Sequence, residues 1–251
     1  MSLRLPNPAS VLQTLASQCA VCHSWPSRRV CAACVARFGQ TQARCDTCAL
    51  RLPTDLSLGQ GRPASRCATC LRQPPPLDAC FSAMTYAYPW SELVASYKFG
   101  GDPAWAAVLA ELLLQAPGVP QALAALETGD WLIPLPLSTA RLQSRGFNQA
   151  WELVKALARQ TGTLAQTDAR LLLRIRHTPP QAQLKREARL QNVKGAFVVD
   201  PLRVSGLQGR RVLLVDDVMT SGASLFAAAQ ALRDAGAASV CGVVFARTES
   251  D

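Results

Sequence analysis

The sequence predicts an α/β domain with a largely parallel sheet, preceded by a small cysteine-rich module. Two observations carry this prediction. Eight of the ten cysteines form four Cys-x-x-Cys pairs within residues 19–70, and beyond residue 80 apolar, strand-like runs alternate with helical patterns. Such alternation is typical of parallel strands joined by helices. We therefore predict two domains, residues 1–75 and residues 76–251.

The composition favours a globular protein without a membrane span. Of the 251 residues, 49% are hydrophobic and 17% are charged, which is enough apolar material for a core. The longest weakly charged stretch, residues 103–126, is interrupted by Glu111, Pro117 and Pro120, so it lacks the ~20 apolar residues of a span. The first residues contain no continuous apolar segment of the kind found in signal peptides. We expect a cytoplasmic protein.

The net charge of +9 is concentrated in two blocks. Residues 1–80 contain nine Lys/Arg against three Asp/Glu, and residues 141–211 contain fourteen against four. Two interpretations stay open at this point. The blocks are either ordinary solvated surface or a face that binds nucleic acid or phosphate.

The four Cys-x-x-Cys pairs predict two structural zinc sites, because two such pairs complete one tetrahedral four-sulfur site. Disulfides are disfavoured in a reducing compartment, and a redox dithiol needs one pair and not four. Pairing of neighbours is the simplest arrangement, and a cross-braced arrangement stays open. The eight predicted ligands are Cys19, Cys22, Cys31, Cys34, Cys45, Cys48, Cys67 and Cys70.

The segments between these cysteines are rich in Pro, Arg, Ser and Gly, as in "LPTDLSLGQGRPASR". They contain too few apolar residues to fold by burial alone, so we expect the metal to supply the folding energy. His23 is not needed as a ligand, and Cys80 and Cys241 are interpreted as small buried hydrophobes. The Pro-rich residues 71–79 are expected to form a stiff connector.

After the connector, the pattern predicts four strands and four helices in alternation. The strands lie around Cys80–Tyr86, Trp131–Leu135, Arg211–Val215 and Ser239–Phe245. The helices lie around Ser91–Tyr97, Ala104–Gln115, Gln149–Gln160 and Ala223–Ala235.

The stretch "VLLVDDVMTSGAS", residues 212–224, predicts a ligand site between a buried strand and a helix. Open α/β sheets bind ligands outside the carboxyl ends of their strands. A glycine, three hydroxyl side chains and a helix N-terminus can enclose a phosphate monoester. Asp216 and Asp217 suit the vicinal hydroxyls of a ribose, with Mg²⁺ relieving their mutual repulsion. Together these features indicate a ribose 5-phosphate group.

Three other interpretations explain less. A Walker B strand requires a G-x-x-x-x-G-K-[ST] loop, which this chain lacks. An aspartyl phosphatase requires acids two residues apart, but position 218, two residues after Asp216, is Val. A merely capped helix explains neither both acids nor three hydroxyls. Because the acids follow the predicted strand, we expect them to lie outside the core.

The same stretch closely resembles the phosphoribosyl pyrophosphate signature of type I phosphoribosyltransferases. Three further stretches, "YKFGGD" at 97–102, "IPLPLSTARLQSRGFNQA" at 133–150 and "RHTPPQAQLKREARLQNVKGAF" at 176–197, resemble the ComF family. That family often has a double zinc ribbon before a transferase-like domain. One departure is Ala49, which follows Cys48 where a glycine is common.

The resemblance implies roles for individual residues. The catalytic pair Asp216 and Asp217 would bind the ribose hydroxyls and magnesium. The residues implied for the 5-phosphate are Thr220, Ser221, Gly222, Ala223 and Ser224. Arg141 and Arg145 are assigned to the diphosphate, as planar multi-donor cations, and Lys98 is a weaker candidate for the same charge. Thr178, Gln181, Arg189 and Asn192 lie in a polar segment expected to face a ligand.

Two functions from different classes follow. One is a magnesium-dependent phosphoribosyltransferase, a glycosyltransferase that uses phosphoribosyl pyrophosphate. The other is a non-catalytic protein that binds single-stranded DNA and keeps the phosphoribosyl pocket as a sensor. Such a protein would act with DNA-uptake proteins in DNA uptake (competence), or in the use of external DNA. The basic residues expected to contact DNA are Arg28, Arg29, Arg37, Lys185, Arg186 and Arg189.

Overall fold

The computed structural model describes residues 17–53, 57–58, 62–63, 65–176, 193 and 195–249. The chain divides into two compact units, residues 1–40 and residues 41–251. The first four paired cysteines lie in the first unit and the other four lie in the second, with the sheet. The predicted domain boundary at residue 75 stays a prediction. The candidates Thr178, Gln181, Lys185, Arg186, Arg189 and Asn192 lie outside the described residues.

A four-stranded parallel sheet forms the centre of the second unit. Its strands are β3 (Ala79–Thr85), β4 (Trp131–Pro134), β7 (Arg211–Met219) and β8 (Ser239–Arg247), in the order β3-β8-β7-β4. Every neighbouring pair is parallel, so all four carboxyl ends lie at one edge. Two short antiparallel pairs are β1 (Ser57–Leu58) with β2 (Arg62–Pro63) and β5 (Leu172–Arg174) with β6 (Phe197–Val199). The predicted α/β class is confirmed.

Eight α-helices occur in the described part of the chain. They are α1 (Ala32–Phe38), α2 (Ala68–Arg72), α3 (Trp90–Phe99), α4 (Trp105–Leu114), α5 (Val119–Ala124), α6 (Thr139–Arg145), α7 (Gln149–Thr161) and α8 (Ala223–Asp234). None of these helices has the length and apolar character that crossing a membrane requires.

The local sequence explains the bounds of α7. Asn148 precedes the helix, and its side-chain oxygen accepts hydrogen bonds from the N–H groups of Ala150 (3.0 Å) and Trp151 (3.4 Å). The buried residues Leu153, Val154 and Leu157 lie on one face, toward β4 and β7. Gly162 ends the helix in the left-handed conformation at φ 63°.

The strand β7 is longer than predicted, and this changes the position of the two acids. The sequence predicts that it ends at Val215, but pairing with β8 continues from Asp216↔Val244 to Met219↔Arg247. On its other side, β4 pairs with β7 only as far as Pro134↔Val215. Asp216 and Asp217 therefore lie within a strand that has lost one neighbour. The β4 side of β7 is thus unpaired at the carboxyl edge of the sheet.

The second unit has one large buried cluster that includes four of the paired cysteines. Cys45, Cys48, Cys67 and Cys70 share this cluster with Met219 of β7 and with the apolar face of α8. The Pro-rich connector is fixed against the sheet, because the Asp78 carboxylate accepts hydrogen bonds from the Val240 N–H and the Ser239 hydroxyl, both at 2.8 Å. The second set of cysteines is thus an integral part of the α/β core.

Candidate functional site

The eight paired cysteines form two groups in the structure. The first cysteine cluster is Cys19, Cys22, Cys31 and Cys34, and the second cysteine cluster is Cys45, Cys48, Cys67 and Cys70; in each, all sulfurs lie within 4.8 Å of one another. Each cluster thus combines two Cys-x-x-Cys pairs that are neighbours in the sequence, and not the cross-braced pairs.

The sulfur spacing fits a tetrahedral zinc ion. With Zn–S bonds of about 2.3 Å, a tetrahedron places its sulfurs about 3.8 Å apart. The Sγ–Sγ distances are 3.9 Å for Cys19–Cys34, 3.7 Å for Cys22–Cys31 and 3.7 Å for Cys48–Cys67. These sites are compatible with two structural zinc ions.

The residue after the second cysteine of each cluster adopts a left-handed backbone. His23, after Cys22, has φ 61°, and Ala49, after Cys48, has φ 54°. Their N–H groups donate to the carbonyls of Cys19 and Cys45 at 2.9 and 2.8 Å. Glycine reaches this region at least cost, which explains why a glycine is common at the position of Ala49. Ala49 adopts the left-handed turn that a glycine would otherwise form at this position.

The two acids lie side by side in β7 but in different surroundings. Asp217 is only 6% exposed, and its N–H donates to the Asp216 carboxylate at 2.8 Å. Burial, followed by the charge of Asp217, raises the pKa of Asp216 to about 7. The expectation that both acids lie outside the core is wrong for Asp217, because the strand carries it inward. The two adjacent carboxylates repel each other, and a divalent cation would relieve that repulsion.

Lys98 supplies part of that charge. It lies in the last turn of α3, and its Nζ is 2.9 Å from the Asp217 Oδ1, with both side chains largely buried. The predicted role of Lys98 toward the diphosphate stays a prediction. In the structure it is the direct partner of an acid, which fixes the end of α3 against β7.

Arg145 lies close to the acids and is held by several contacts. Its Nη1 donates to the Gln149 Oε1 at 2.9 Å, and its guanidinium lies 5.3 Å from the ring centre of Phe99. Burial lowers the pKa of Arg145, and the charges of Asp217 and Asp216 raise it in part. Arg141, one helical turn earlier, adds a second positive charge nearby. The structure thus brings Lys98, Arg145 and both acids into one charged cluster.

The Thr220–Ser224 loop follows β7 directly and includes the first two residues of α8, Ala223 and Ser224. Gly222 has φ 82°, and a Cβ there would lie 2.5 Å from the Met219 Cε and 2.6 Å from the Phe226 Cζ. Only glycine fits this position, since it needs both the left-handed conformation and the space. Thr220 is exposed, and Ser221 and Ser224 are partly exposed, so their hydroxyls are accessible.

Sequence reasoning missed three residues that support the site. Tyr97, buried beside Lys98, donates its hydroxyl to the Gln149 carbonyl at 2.7 Å. Gln149 is 1% exposed, and its side-chain Nε2 has no hydrogen-bond partner among the described residues. Arg247 is 4% exposed and contacts the backbone of the Thr220–Ser224 loop. The only sequence signal for Arg247 is a cation that ends an otherwise apolar strand.

Comparisons with known proteins agree with this geometry. The model of the phosphoribosyl transferase domain matches residues 153–251. The chain is 33% identical to the DNA utilization protein YhgH of Salmonella typhi, over 84% of this chain and 87% of that protein. It is 33% identical to competence protein F of Haemophilus influenzae, over 69% and 74%. It is 31% identical to competence protein ComFC of Bacillus subtilis, over 47% and 44%.

The predicted fold class, a type I phosphoribosyltransferase-like sheet domain preceded by a small zinc-ribbon module, is confirmed by the domain match, the parallel sheet and the two cysteine clusters. The matched region contains β7, the Thr220–Ser224 loop and α8. Because the similarity to YhgH and to competence protein F extends over more than two thirds of the chain, the protein belongs to the ComF family.

Proposed function

We propose that the carboxyl end of β7, together with the Thr220–Ser224 loop, binds phosphoribosyl pyrophosphate with Mg²⁺. The observation that carries the proposal is the juxtaposition of an acidic pair, Asp216 and Asp217, with the accessible hydroxyls of the Thr220–Ser224 loop at the carboxyl edge of the sheet. Carboxylates accept hydrogen bonds from ribose hydroxyls, and the loop donates to a phosphate. The two halves of the ligand are thereby matched by two neighbouring groups of side chains.

The charged cluster fits the chemistry of ribosyl transfer. In that reaction the bond from the ribose C1 to the pyrophosphate oxygen breaks, and the electron pair leaves with pyrophosphate. Asp216 and Asp217 stabilise the positive charge that develops on the ribose, while Arg141 and Arg145 stabilise the leaving group. Magnesium, when bound, supplies further charge to the diphosphate. An acceptor with a lone pair forms the new bond to the ribose C1.

Calorimetry with phosphoribosyl pyrophosphate and Mg²⁺ on the wild type and on Asp216→Asn tests the proposal. We expect binding by the wild type and a loss of affinity in the variant on the order of ten- to a hundredfold, the equivalent of one charge-assisted hydrogen bond. Asp216 is the better choice for this test. Asp217→Asn also breaks a buried ion pair with Lys98, which costs roughly 3–5 kcal/mol of stability.

Asp234→Asn is the matched control. Asp234 is exposed and lies at the far end of α8 from the loop. It should bind the ligand as the wild type does. Equal affinity in Asp216→Asn and Asp234→Asn would mean that the acidic pair does not bind the ribose, and no binding by the wild type would reject the proposal altogether.

A second proposed function is the handling of single-stranded DNA, in DNA uptake or use of external DNA. The names of the relatives favour it, and one structural feature agrees. Phe99 is 74% exposed beside the Arg145 guanidinium, and an aromatic ring next to a cation suits a stacked base. An anisotropy titration with an oligonucleotide should show binding that weakens steeply with salt. Binding that is unaffected by salt, or by Phe99→Ala, would contradict it.

A further inference from the structure

The second cysteine cluster and the Thr220–Ser224 loop are connected by one buried side chain. Arg247 ends β8, is 4% exposed and donates hydrogen bonds to backbone carbonyls on both sides. Its Nε lies 3.0 Å from the carbonyl oxygen of Cys48. Its Nη1 donates to the carbonyl of Met219 at 3.2 Å and to that of Thr220, the first residue of the loop.

Three further contacts support this connection. The Nη1 of Arg247 also donates to the Thr248 carbonyl at 2.7 Å, and the Thr248 N–H donates to the Met219 carbonyl at 3.0 Å. The Met219 side chain belongs to the same buried cluster as the four cysteine sulfurs, and its Sδ lies 3.9 Å from the Cys80 Sγ. The strand end that leads into the loop is thus held from the side where the cysteines lie.

The position of the Cys48 carbonyl depends on the knuckle that contains it. Cys48 supplies both a predicted metal ligand and the acceptor for Arg247, and the following residue Ala49 is fully buried in a left-handed turn. A metal ion that holds the Cys48 Sγ also fixes the backbone of this turn. Without the ion the knuckle keeps its backbone hydrogen bonds and the buried Ala49 and Leu52, but it loses the bond that fixes the Cys48 Sγ.

We propose that the second cysteine cluster positions the Thr220–Ser224 loop through Arg247, so that metal binding at this cluster and ligand binding at the loop strengthen each other. The proposal rests on the proposed function, because it takes phosphoribosyl pyrophosphate as the ligand of the loop. Arg247 is a positioning residue in this scheme. Coupling between two sites is reciprocal, so the ligand must also raise the affinity of the second cysteine cluster for its metal.

The test uses the full chain with both metal sites loaded. A chelator and a thiol-alkylating reagent are added together, and the labelling of each cysteine is followed by peptide mapping, with and without saturating phosphoribosyl pyrophosphate and Mg²⁺. We expect the ligand to slow the labelling of Cys45 and Cys48 about 5- to 150-fold, the usual range of coupling between sites. Labelling of Cys19 and Cys22, in the other compact unit, should change less than about twofold by the same measure.

Two variants separate coupling through Arg247 from general stabilisation by the ligand. Arg247→Lys keeps the buried charge but lacks the guanidinium fork that spans several carbonyls. It should bind the ligand on the order of tenfold more weakly and lose the protection of Cys45 and Cys48. Arg233→Lys is the matched control, since Arg233 also donates to a carbonyl, that of Pro76 at 3.0 Å, but not to the loop. It should keep both properties.

Hydrogen exchange tests the connection through Arg247 in the absence of any ligand. Amides of residues 219–224 should exchange faster in Arg247→Lys, and in the wild type after removal of the second metal, than in Arg233→Lys. Unchanged exchange, or protection of Cys45 that persists in Arg247→Lys, overturns the inference. If the wild type fails to bind phosphoribosyl pyrophosphate while exchange responds as expected, the ligand assignment is wrong and the positioning role of Arg247 stands.

Discussion

The two cysteine clusters have the same ligands and the same spacing within each knuckle, but they are built into the protein differently. In the first cluster Cys22 is exposed and Cys31 is partly exposed, and the cluster belongs to a small unit of residues 1–40. In the second cluster all four cysteines are buried and pack in the core of the α/β unit. Identical metal chemistry thus serves a self-contained module in one case and a sheet domain in the other.

This difference shows that a Cys-x-x-Cys knuckle can form part of a hydrophobic core. The backbone of the second cluster is connected to the sheet by the Cys80 N–H, which donates to the Asp46 carbonyl at 2.7 Å, and by Arg247. A metal ion in such a place stabilises more than its own loop. We therefore expect the two clusters to respond very differently to the same perturbation.

The largest effect is expected from removing one ligand of each cluster. Structural zinc contributes on the order of 10 kcal/mol, which is comparable with the whole stability of a domain, 5–15 kcal/mol. Cys48→Ser should therefore abolish the cooperative melting of the α/β unit, whereas Cys22→Ser should leave it intact. Circular dichroism melting and metal analysis measure this, with one ion per chain expected for Cys22→Ser. Loss of the main transition in Cys22→Ser would refute the comparison.

A second difference concerns the rate at which the metal is lost. A chelator reaches the first cluster by local opening, but reaching the second requires the core to open, at a cost that approaches the global free energy of unfolding. We expect Cys22 and Cys31 to become reactive toward an alkylating reagent at least about a hundredfold sooner than Cys48 and Cys67. Equal rates at both clusters would show that the second is not part of the core.

The sequence predicts elements that depend on neighbouring residues better than contacts between segments that are far apart in the chain. The four main strands and the helices α3, α4, α7 and α8 follow from local periodicity, and their bounds agree within a few residues. Periodicity does not reveal that β7 continues through Asp216 and Asp217. That extension depends on pairing with β8 up to Met219↔Arg247, a contact between distant segments. Acids at a predicted strand end look like loop residues until the partner strand is known.

In the candidate site, too, the sequence predicts what neighbouring residues form but not the contacts between distant segments. Asp216, Asp217 and the Thr220–Ser224 loop are adjacent in the sequence, so their proximity needs no tertiary information. The ion pair of Lys98 with Asp217 and the contact of Arg247 with Cys48 join residues more than one hundred positions apart. Neither has a local signature. Helices α5 and α6 are also absent from the predicted elements. Helix α6 has no buried residue and therefore produces no apolar periodicity.

A third prediction compares one arginine from each unit. Arg44, beside the second cluster, donates to the Ala49 carbonyl at 3.1 Å and to the Thr85 hydroxyl at 3.0 Å. Arg37, in the first unit, is exposed and lies 5.1 Å from the ring centre of Phe38. Arg44→Met should lower the free energy of unfolding by roughly 1.5–3 kcal/mol, and Arg37→Met by less than about 1 kcal/mol. Urea denaturation of the main transition measures both, and equal effects would contradict the integration of the second cluster.

The smallest effect distinguishes the two left-handed turns. Replacing His23 or Ala49 with glycine relieves a backbone conformation that costs a non-glycine residue about 1 kcal/mol. At exposed His23 nothing offsets this gain, so His23→Gly should tighten metal binding at the first cluster about two- to fivefold. At Ala49, which is fully buried, the loss of the methyl group costs about 0.8 kcal/mol and cancels most of it. Competition with a calibrated chelator should therefore detect a change at the first cluster and almost none at the second. A gain of equal size at both would show that the Ala49 methyl group contributes nothing to the core.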